Sequence, residues 1–403
     1  MLTGLDQLND GHLSQLRKRL RDTRVGVLTH APAVDRRGRS ALQVLDDLGA
    51  PASVLLTPEH GFHGFAQAEE AVREGEVQGG PRTVSLYDGT RQSLTPSAEV
   101  LSSLDVLVVD LVDVGSRYYT YAWTALLAAR AAREANVHVV ILDRPNPIAG
   151  DPALVEGAPQ QPGFLSFVGL EPLAVRHGLT LAEIVVHFLA RDGAPLGPSG
   201  AVSVVPTRGW ERHRTADAWG RPFVPPSPNM PTAQTALVYP GGCLVEGTNL
   251  SEGRGTTSPF QIVGAPFLDG PALARELLAV GVPGALVRPV TFRPTFEKHA
   301  GVACHGVMLH VTDPASFRPV ATYLALVALA RAQAPEAFAF RAEPYEMEAE
   351  IPAFDLLTGS AAARSALLEG AGPADVAALV APVDPACREL VREAEARAVD
   401  ARA

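Results

Sequence analysis

The chain has 403 residues, 47% hydrophobic and 19% charged, with 34 basic against 44 acidic side chains and a formal charge of −10. That length can bury a large core in two or three domains, and the longest basic tract, RKRLR around Lys18, reads as a solvated helix face, which argues against a nucleic-acid partner and for small-molecule chemistry. Three scattered cysteines with no CxxC signal neither a zinc knuckle nor a disulfide framework, and the longest apolar run, YLALVALA at 323–330, is too short to span a membrane.

In chain order, LSQLRKRL reads as a helix, VGVLTH as a strand, ALQVLDDLG as a helix and ASVLLTP as a strand. No apolar h-region precedes them, so the chain reads as cytoplasmic, or as the mature form of an exported protein. After a polar loop come the strand TVSLY, a helix near 97–103 opened by a Thr-Pro cap, the strand DVLVVDLVD, a helix through 121–135 and the strand VHVVILD. Runs such as VLVV and VHVVIL, apolar without alternation, suit strands buried on both faces of a parallel sheet. A helix over 179–193 and the strand AVSVVP at 201–206 extend the pattern to a doubly wound α/β sheet. The proline-dense RPFVPPSPNMPT is neither helix nor interior strand, which places a domain junction there, giving domains 1–235 and 236–403. Beyond it, helices at PALARELLAVG, RPVATYLALVALARAQ and SAAARSALLEG mix with the strands ALVRPVTF and GVMLHVTD, a smaller α+β domain.

Ligands of open α/β sheets bind at the carboxyl ends of the strands. Three such ends in this chain are crowded: TPEHGFHG after VLL, DLVDVGSRYYTY after VLVV, and DRPNP after VVIL. They bring Glu59, His60, His63, Asp110, Asp113, Arg117, Tyr118, Tyr119, Asp143, Arg144 and Asn146 to one rim. Asp, Asn, Gly and Pro after strands are ordinary turn and cap residues; the density of ionisable and aromatic side chains is what indicates a cleft. Glu59 stands out because Glu is favoured at neither position. No G-x-S-x-G, Walker-type or G-x-G-x-x-G sequence occurs. His60 and His63, spaced i, i+3, could ligate a metal together with Asp110. A second dense block, VYPGGCLVEGTNLSEGRGTTSPF at 238–260, reads as a long loop whose Glu246, Asn249, Glu252 and Arg254 suit a polar ligand.

Taken together, TPEHGFHG, DLVDVGSRYYTY, DRPNP with the following VEG, RHGLTLAEI, SPNMPT, YPGGCLVEGTNLSEGRGTTSPF and FDLLTGS resemble, in that order, the bacterial exo-β-N-acetylmuramidase (NamZ, YbbC-like) family. The resemblance runs from VGVLTH to LLTGS. It implies a glycoside hydrolase that removes β-linked N-acetylmuramic acid from the non-reducing end of peptidoglycan fragments, built as a Rossmann-like domain and a smaller C-terminal domain with the site between them. It implies no metal or redox cofactor, a muramic-acid-containing glycan or muropeptide as partner, and the Glu of PEHG, here Glu59, as the catalytic residue. The chain departs from the family at His30, where Asn is usual, and at Val112, where Gln is common.

Chemically, Glu59 then acts as general acid, its pKa raised by an apolar wall of Phe62 and Phe65. The second group is Asp110, Asp113, Glu246 or Glu252, with Asp113 preferred, or the substrate's own acetamido group. His60 and His63 orient Glu59 or bind sugar hydroxyls, Tyr118, Tyr119, Tyr121 and Trp123 offer a stacking surface, and SPNMPT adds Asn229. The lactyl carboxylate of muramic acid calls for a cation: Arg117, Arg144, Arg254, or Lys298, one of only two lysines in an arginine-rich chain. Two other functions fit the same residues: a metal-dependent hydrolase using His60, His63 and Asp110, and a catalytically silent muropeptide-binding protein.

Overall fold

The computed structural model describes residues 1–8, 13–72 and 80–403; part of the polar loop expected before TVSLY lies outside them. Six parallel strands form one sheet: β1 (Val25–Thr29), β2 (Ala52–Thr57), β3 (Arg82–Ser85), β4 (Val106–Asp110), β5 (His138–Leu142) and β6 (Val202–Val205), in the order β3-β2-β1-β4-β5-β6. Every residue of β1, β4 and β5 is buried, as strands covered on both faces must be. Parallel neighbours need crossovers, and the helices Ala41–Asp47, Ala98–Ser102, Tyr121–Glu134 and Leu181–Arg191 lie between strands in sequence. Two of them start at capping boxes, Ser40 with Gln43 and Thr180 with Glu183. The helix near 97 is capped by Ser97, not by the expected Thr-Pro pair, because only Ser97 places its oxygen on the free N–H of Val100.

The chain runs outward from β1 to β3 and then returns to β4 beside β1, so the connections diverge above the β1/β4 boundary and leave a crevice at the carboxyl ends. The smaller domain holds an antiparallel sheet, β7 (Ile262–Ala265), β8 (Ala285–Phe292) and β9 (Cys304–Val311), ordered β7-β9-β8. One apolar core runs continuously from Leu28 and Val109 of the large sheet through Tyr118 and Tyr239 to Val307 and Leu324 of the smaller domain, which ties the two parts together. The opposite face of the large sheet packs Val27, Leu55 and Val108 against Leu5, Val44 and Leu45.

Two elements differ from expectation. The first ten residues of the presumed loop 238–260 are helical and buried, in the helix Ala233–Gly242 and the tight turns Cys243–Gly247. The glycines that suggested a loop are there for contact: a Cβ on Gly241 would sit 2.1 Å from the Pro319 carbonyl oxygen, and one on Gly247 would sit 2.7 Å from the Phe354 backbone. The C-terminal helix Pro385–Asp400 returns to the large sheet, where Arg397 donates to the His187 carbonyl at 3.0 Å and the Ala403 N–H to Val204 at 2.8 Å. No described helix is long and apolar enough to cross a membrane.

Candidate active site

A cleft of about 500 Å³ opens between the ends of β2 and β4 and the smaller domain. Glu59, His60, Tyr118, Tyr119, Thr120 and Tyr121 line it from the large sheet; Asn229 lines it from the proline-rich segment; Glu246, Arg254, Tyr345 and Glu346 line it from beyond. All of those buried side chains for which the environment is most telling, Glu59, Glu246, Arg254 and Glu346, are less than a tenth exposed.

Glu59 follows β2 and is 5% exposed. Its Oε2 accepts the Thr120 hydroxyl at 2.7 Å, its Oε1 the Glu69 N–H at 3.4 Å, and its carbonyl the Tyr121 hydroxyl at 3.1 Å. His60 stands beside it at φ 69, with Nδ1 2.7 Å from the Ala66 carbonyl oxygen. Nδ1 therefore carries a proton and donates to that carbonyl. Phe260 at φ 63 and Glu346 at φ 48 also hold left-handed backbone, so three non-glycine residues in a sterically costly conformation converge on one cleft.

On the far wall, Glu246 accepts Arg254 Nη2 at 2.6 Å and the Tyr345 hydroxyl at 2.6 Å. Burial alone would raise Glu246, but Arg254, the Tyr345 hydroxyl and Lys298 outweigh it and hold the carboxyl below its ordinary value. Arg254 also lies 3.4 Å from Glu252 and over the Phe260 ring, while its Nη1 donates to no described residue. Asn229 donates to Gln67 Oε1 at 2.8 Å.

Other sequence candidates lie elsewhere. Asp110 and Arg144 form a buried two-pronged ion pair, at 2.6 and 2.8 Å, in which burial raises Asp110 and Arg144 opposes it. Arg117 is fully buried and gives its guanidinium to the carbonyls of Ala158, Leu173 and Leu357, clamping the smaller domain to the larger. Asn146 and Asn249 both brace backbone, Asn146 through Leu179 and Ile148, Asn249 through Ala337 and Ala339. Lys298 donates to the carbonyls of Val245, Glu246 and Leu250 and to Glu252 at 2.9 Å, so its ammonium is spent on holding this wall together, and Glu252 is committed with it.

Asp113 lines a separate pocket of about 460 Å³ above the β1/β4 boundary, with Val112, Arg144, Trp219 and Phe223. Its Oδ2 accepts the Gly115 N–H at 2.7 Å and faces His177 at 3.5 Å. It is therefore not presented to the cleft that holds Glu59. The two departures from the family pattern meet here too: the Val112 N–H donates to His30 Nε2 at 3.2 Å, and burial pushes His30 down to about 3, which keeps it a neutral acceptor.

His63 is exposed and packs on Phe62, and Phe65 is 73% exposed, so neither Phe62 nor Phe65 forms the expected wall around Glu59. That wall is Tyr118, Tyr119 and Tyr121, while Trp123 is fully buried with its indole N–H on the Arg117 carbonyl. His60, His63 and Asp110 do not converge, and no group of three metal-ligating side chains occurs among the described residues. Thr120 and Ser227 line the cleft from within YYTY and SPNMPT, where a small hydroxyl among larger polar groups carries no signal of its own. Glu346 carried no signal, being one of four glutamates in the stretch AEPYEMEAE.

The family model described as Exo-beta-N-acetylmuramidase NamZ, N-terminal, matches residues 25–234, and its C-terminal counterpart matches residues 237–386. The chain is 39% identical over 341 residues, 84% of its own length and 79% of the relative's, to the peptidoglycan beta-N-acetylmuramidase NamZ of Bacillus subtilis. A crystal structure of a DUF1343 family protein from Bacteroides fragilis is similar with a TM-score of 0.82 at 26% identity, over 99% of this chain and 97% of that one. A second DUF1343 structure from the same organism shares the fold with a TM-score of 0.71 at 23% identity, over 100% and 98% of the two chains.

Proposed function

The chain belongs to the NamZ family of exo-β-N-acetylmuramidases, and from that membership we propose that it releases β-linked N-acetylmuramic acid from the non-reducing end of peptidoglycan fragments, with Glu59 as a catalytic carboxyl. It is a glycoside hydrolase of cell-wall turnover. The observation that carries the residue assignment is the placement of Glu59: of the rim carboxylates named from sequence, it alone follows a strand of the large sheet, enters the cleft between the two domains, and pairs with no cation among the described residues.

The cleft offers one terminal sugar buried contacts from both domains, which suits exo action. Tyr118, Tyr119 and Tyr121 supply an apolar wall, and Asn229 and His60 Nε2 offer polar groups for hydroxyl and acetamido contacts. Muramic acid differs from glucosamine by its lactyl carboxylate, and Arg254, whose Nη1 donates to no described residue, is the cationic group that the cleft presents to it. Glu246 holds that guanidinium in place.

The test is turnover of para-nitrophenyl β-N-acetylmuraminide against the matching glucosaminide by the full chain. Release from the muraminide with little from the glucosaminide is expected. Binding of the muraminide with no release would leave a sugar-binding protein instead.

A further inference from the structure

On the basis of the muramidase reading, we propose that Glu346, a residue of the smaller domain, delivers the proton to the leaving oxygen, with Glu59 working opposite it as the ionised member of a carboxyl pair. This moves the acid role away from Glu59.

Three carboxyls line the cleft: Glu59, Glu246 and Glu346. Glu246 has both oxygens committed, one to Arg254 and one to Tyr345, and is held as an anion. Glu59 also has a donor on each oxygen, Thr120 on Oε2 and the Glu69 N–H on Oε1, the arrangement that an acceptor-only carboxylate needs. Glu346 differs: Oε2 accepts the Tyr87 hydroxyl at 2.8 Å, and Oε1 takes no hydrogen bond from any described residue. A carboxylic acid that must give away a proton needs one such uncommitted oxygen facing the cleft.

The backbone supports a role beyond packing. Glu346 and Met347 sit at φ 48 and 63, two consecutive non-glycine residues in left-handed conformation. That costs of order 1–3 kcal/mol per residue and persists only where the surroundings impose it. They do: Tyr345 and Glu348 exchange backbone hydrogen bonds at 2.9 Å, and Arg91 of the large-sheet domain grips the Met347 carbonyl at 3.1 Å and Glu348 at 2.6 Å. The turn is clamped to the large-sheet domain and holds Glu346 in the lining of the cleft that Glu59 shares. Electrostatics agree: burial, then the charges of Glu59 and Glu69, push Glu346 well above the usual carboxylate range, and the Tyr87 hydroxyl opposes this only in part. Carboxyls that share a buried site compete for ionisation, so the proton is retained by the anion that the surroundings disfavour most, Glu346.

In the reaction the Glu346 proton bonds to the glycosidic oxygen while the bond from that oxygen to the anomeric carbon breaks, its electron pair staying with the oxygen. The rest of the glycan leaves as a neutral alcohol, and the carboxyl pair, now doubly anionic, faces the cationic sugar ring. Water gives its hydroxyl to the anomeric carbon and its proton to the pair, which restores the starting state.

A proton donor matters in proportion to how badly the leaving group needs a proton. The full-length wild type, Glu346→Gln and Glu346→Asp are compared on β-muramyl-glucosamine and on dinitrophenyl β-muraminide, whose leaving group departs as an anion. Loss of a general acid is expected to lower kcat/KM on the disaccharide by about 1,000-fold and on the activated substrate by less than about tenfold, with the basic limb of the pH profile gone on the activated substrate. Glu346→Asp shows the same leaving-group dependence at smaller size, and Tyr87→Phe, which removes the hydroxyl bonded to Glu346 but keeps the acid, shows none. Equal losses on both substrates, or disaccharide turnover within about tenfold of wild type, would overturn the proposal. A wild type that cleaves neither substrate would instead overturn the muramidase reading itself.

Discussion

The Thr120 hydroxyl points at Glu59 Oε2, 2.7 Å away, although Thr120 is the N-cap residue of the helix Tyr121–Glu134. A threonine at that position ordinarily bonds the free N–H groups of its own helix, and here it caps none of them. The helix start is left without a side-chain cap and the Thr120 hydroxyl is given to the Glu59 carboxyl. Thr120→Val therefore removes an interaction of Glu59 without removing a cap. A hydrogen bond to a charged group is worth about 1.5–3 kcal/mol, so kcat should fall roughly 10- to 100-fold while thermal stability stays close to wild type. Thr120→Ser should retain activity. A stability loss without a kinetic one would show that Thr120 serves the fold alone.

Arg254 bridges Glu246 and the open cleft. Lysine can satisfy Glu246 or reach the substrate carboxylate, but has no planar fork to do both. Arg254→Lys should raise KM for the muraminide about 10-fold or more and leave the glucosaminide unchanged, as measured by initial rates on the two aryl glycosides. Equal changes on both would remove Arg254 from sugar discrimination.

The Asp110–Arg144 pair is buried at 0% and 9% side-chain exposure. Removing one partner of such a pair leaves an uncompensated charge and costs about 3–5 kcal/mol. Arg144→Met should lower the denaturation midpoint accordingly, with kcat/KM of the folded fraction unchanged. A specific rise in muraminide KM in a stable protein would put Arg144 back in the substrate site.

Burial, reinforced by Glu183, pushes Asp143 up to about 7, and burial does the same to Glu156. A carboxyl whose pKa is higher in the folded state binds its proton more tightly there, so its contribution is complete below about pH 4, the unfolded value, and is lost as pH rises through about 7. Thermal stability should decline between about pH 4 and 7. Asp143→Asn, which fixes the neutral form, should reduce that slope without abolishing it, since Glu156 still titrates. An unchanged slope would contradict the assignment.

The large sheet was legible because its strands are unbroken apolar runs separated by periodic helices, a pattern set by local burial alone. The rim was legible for the same reason, since strand ends are where polar residues gather. The side of the rim was not. Glu59 after β2 turns into the interdomain cleft, whereas Asp113 and Arg144 line the crevice over β1 and β4, a difference decided by loop geometry. His60 and His63 parted because Gly61 and Gly64, at φ 73 and 68, turn the chain between and after them. Lys298 stands out in an arginine-rich chain, but as a substrate cation it is misleading: its ammonium is enclosed by three carbonyls that only the folded turn Cys243–Gly247 and the segment after it bring together. Glu346 was invisible because its meaning lies in Tyr87, Arg91 and Glu59, all more than two hundred residues earlier in the chain.

The most direct test of the catalytic site is turnover of para-nitrophenyl β-N-acetylmuraminide by Glu59→Gln, with muraminide binding followed by calorimetry. The expected result is a fall in kcat of about 100- to 10,000-fold with binding and folding retained. Turnover within about tenfold of wild type in a folded, ligand-binding variant would contradict the placement of the reaction at Glu59.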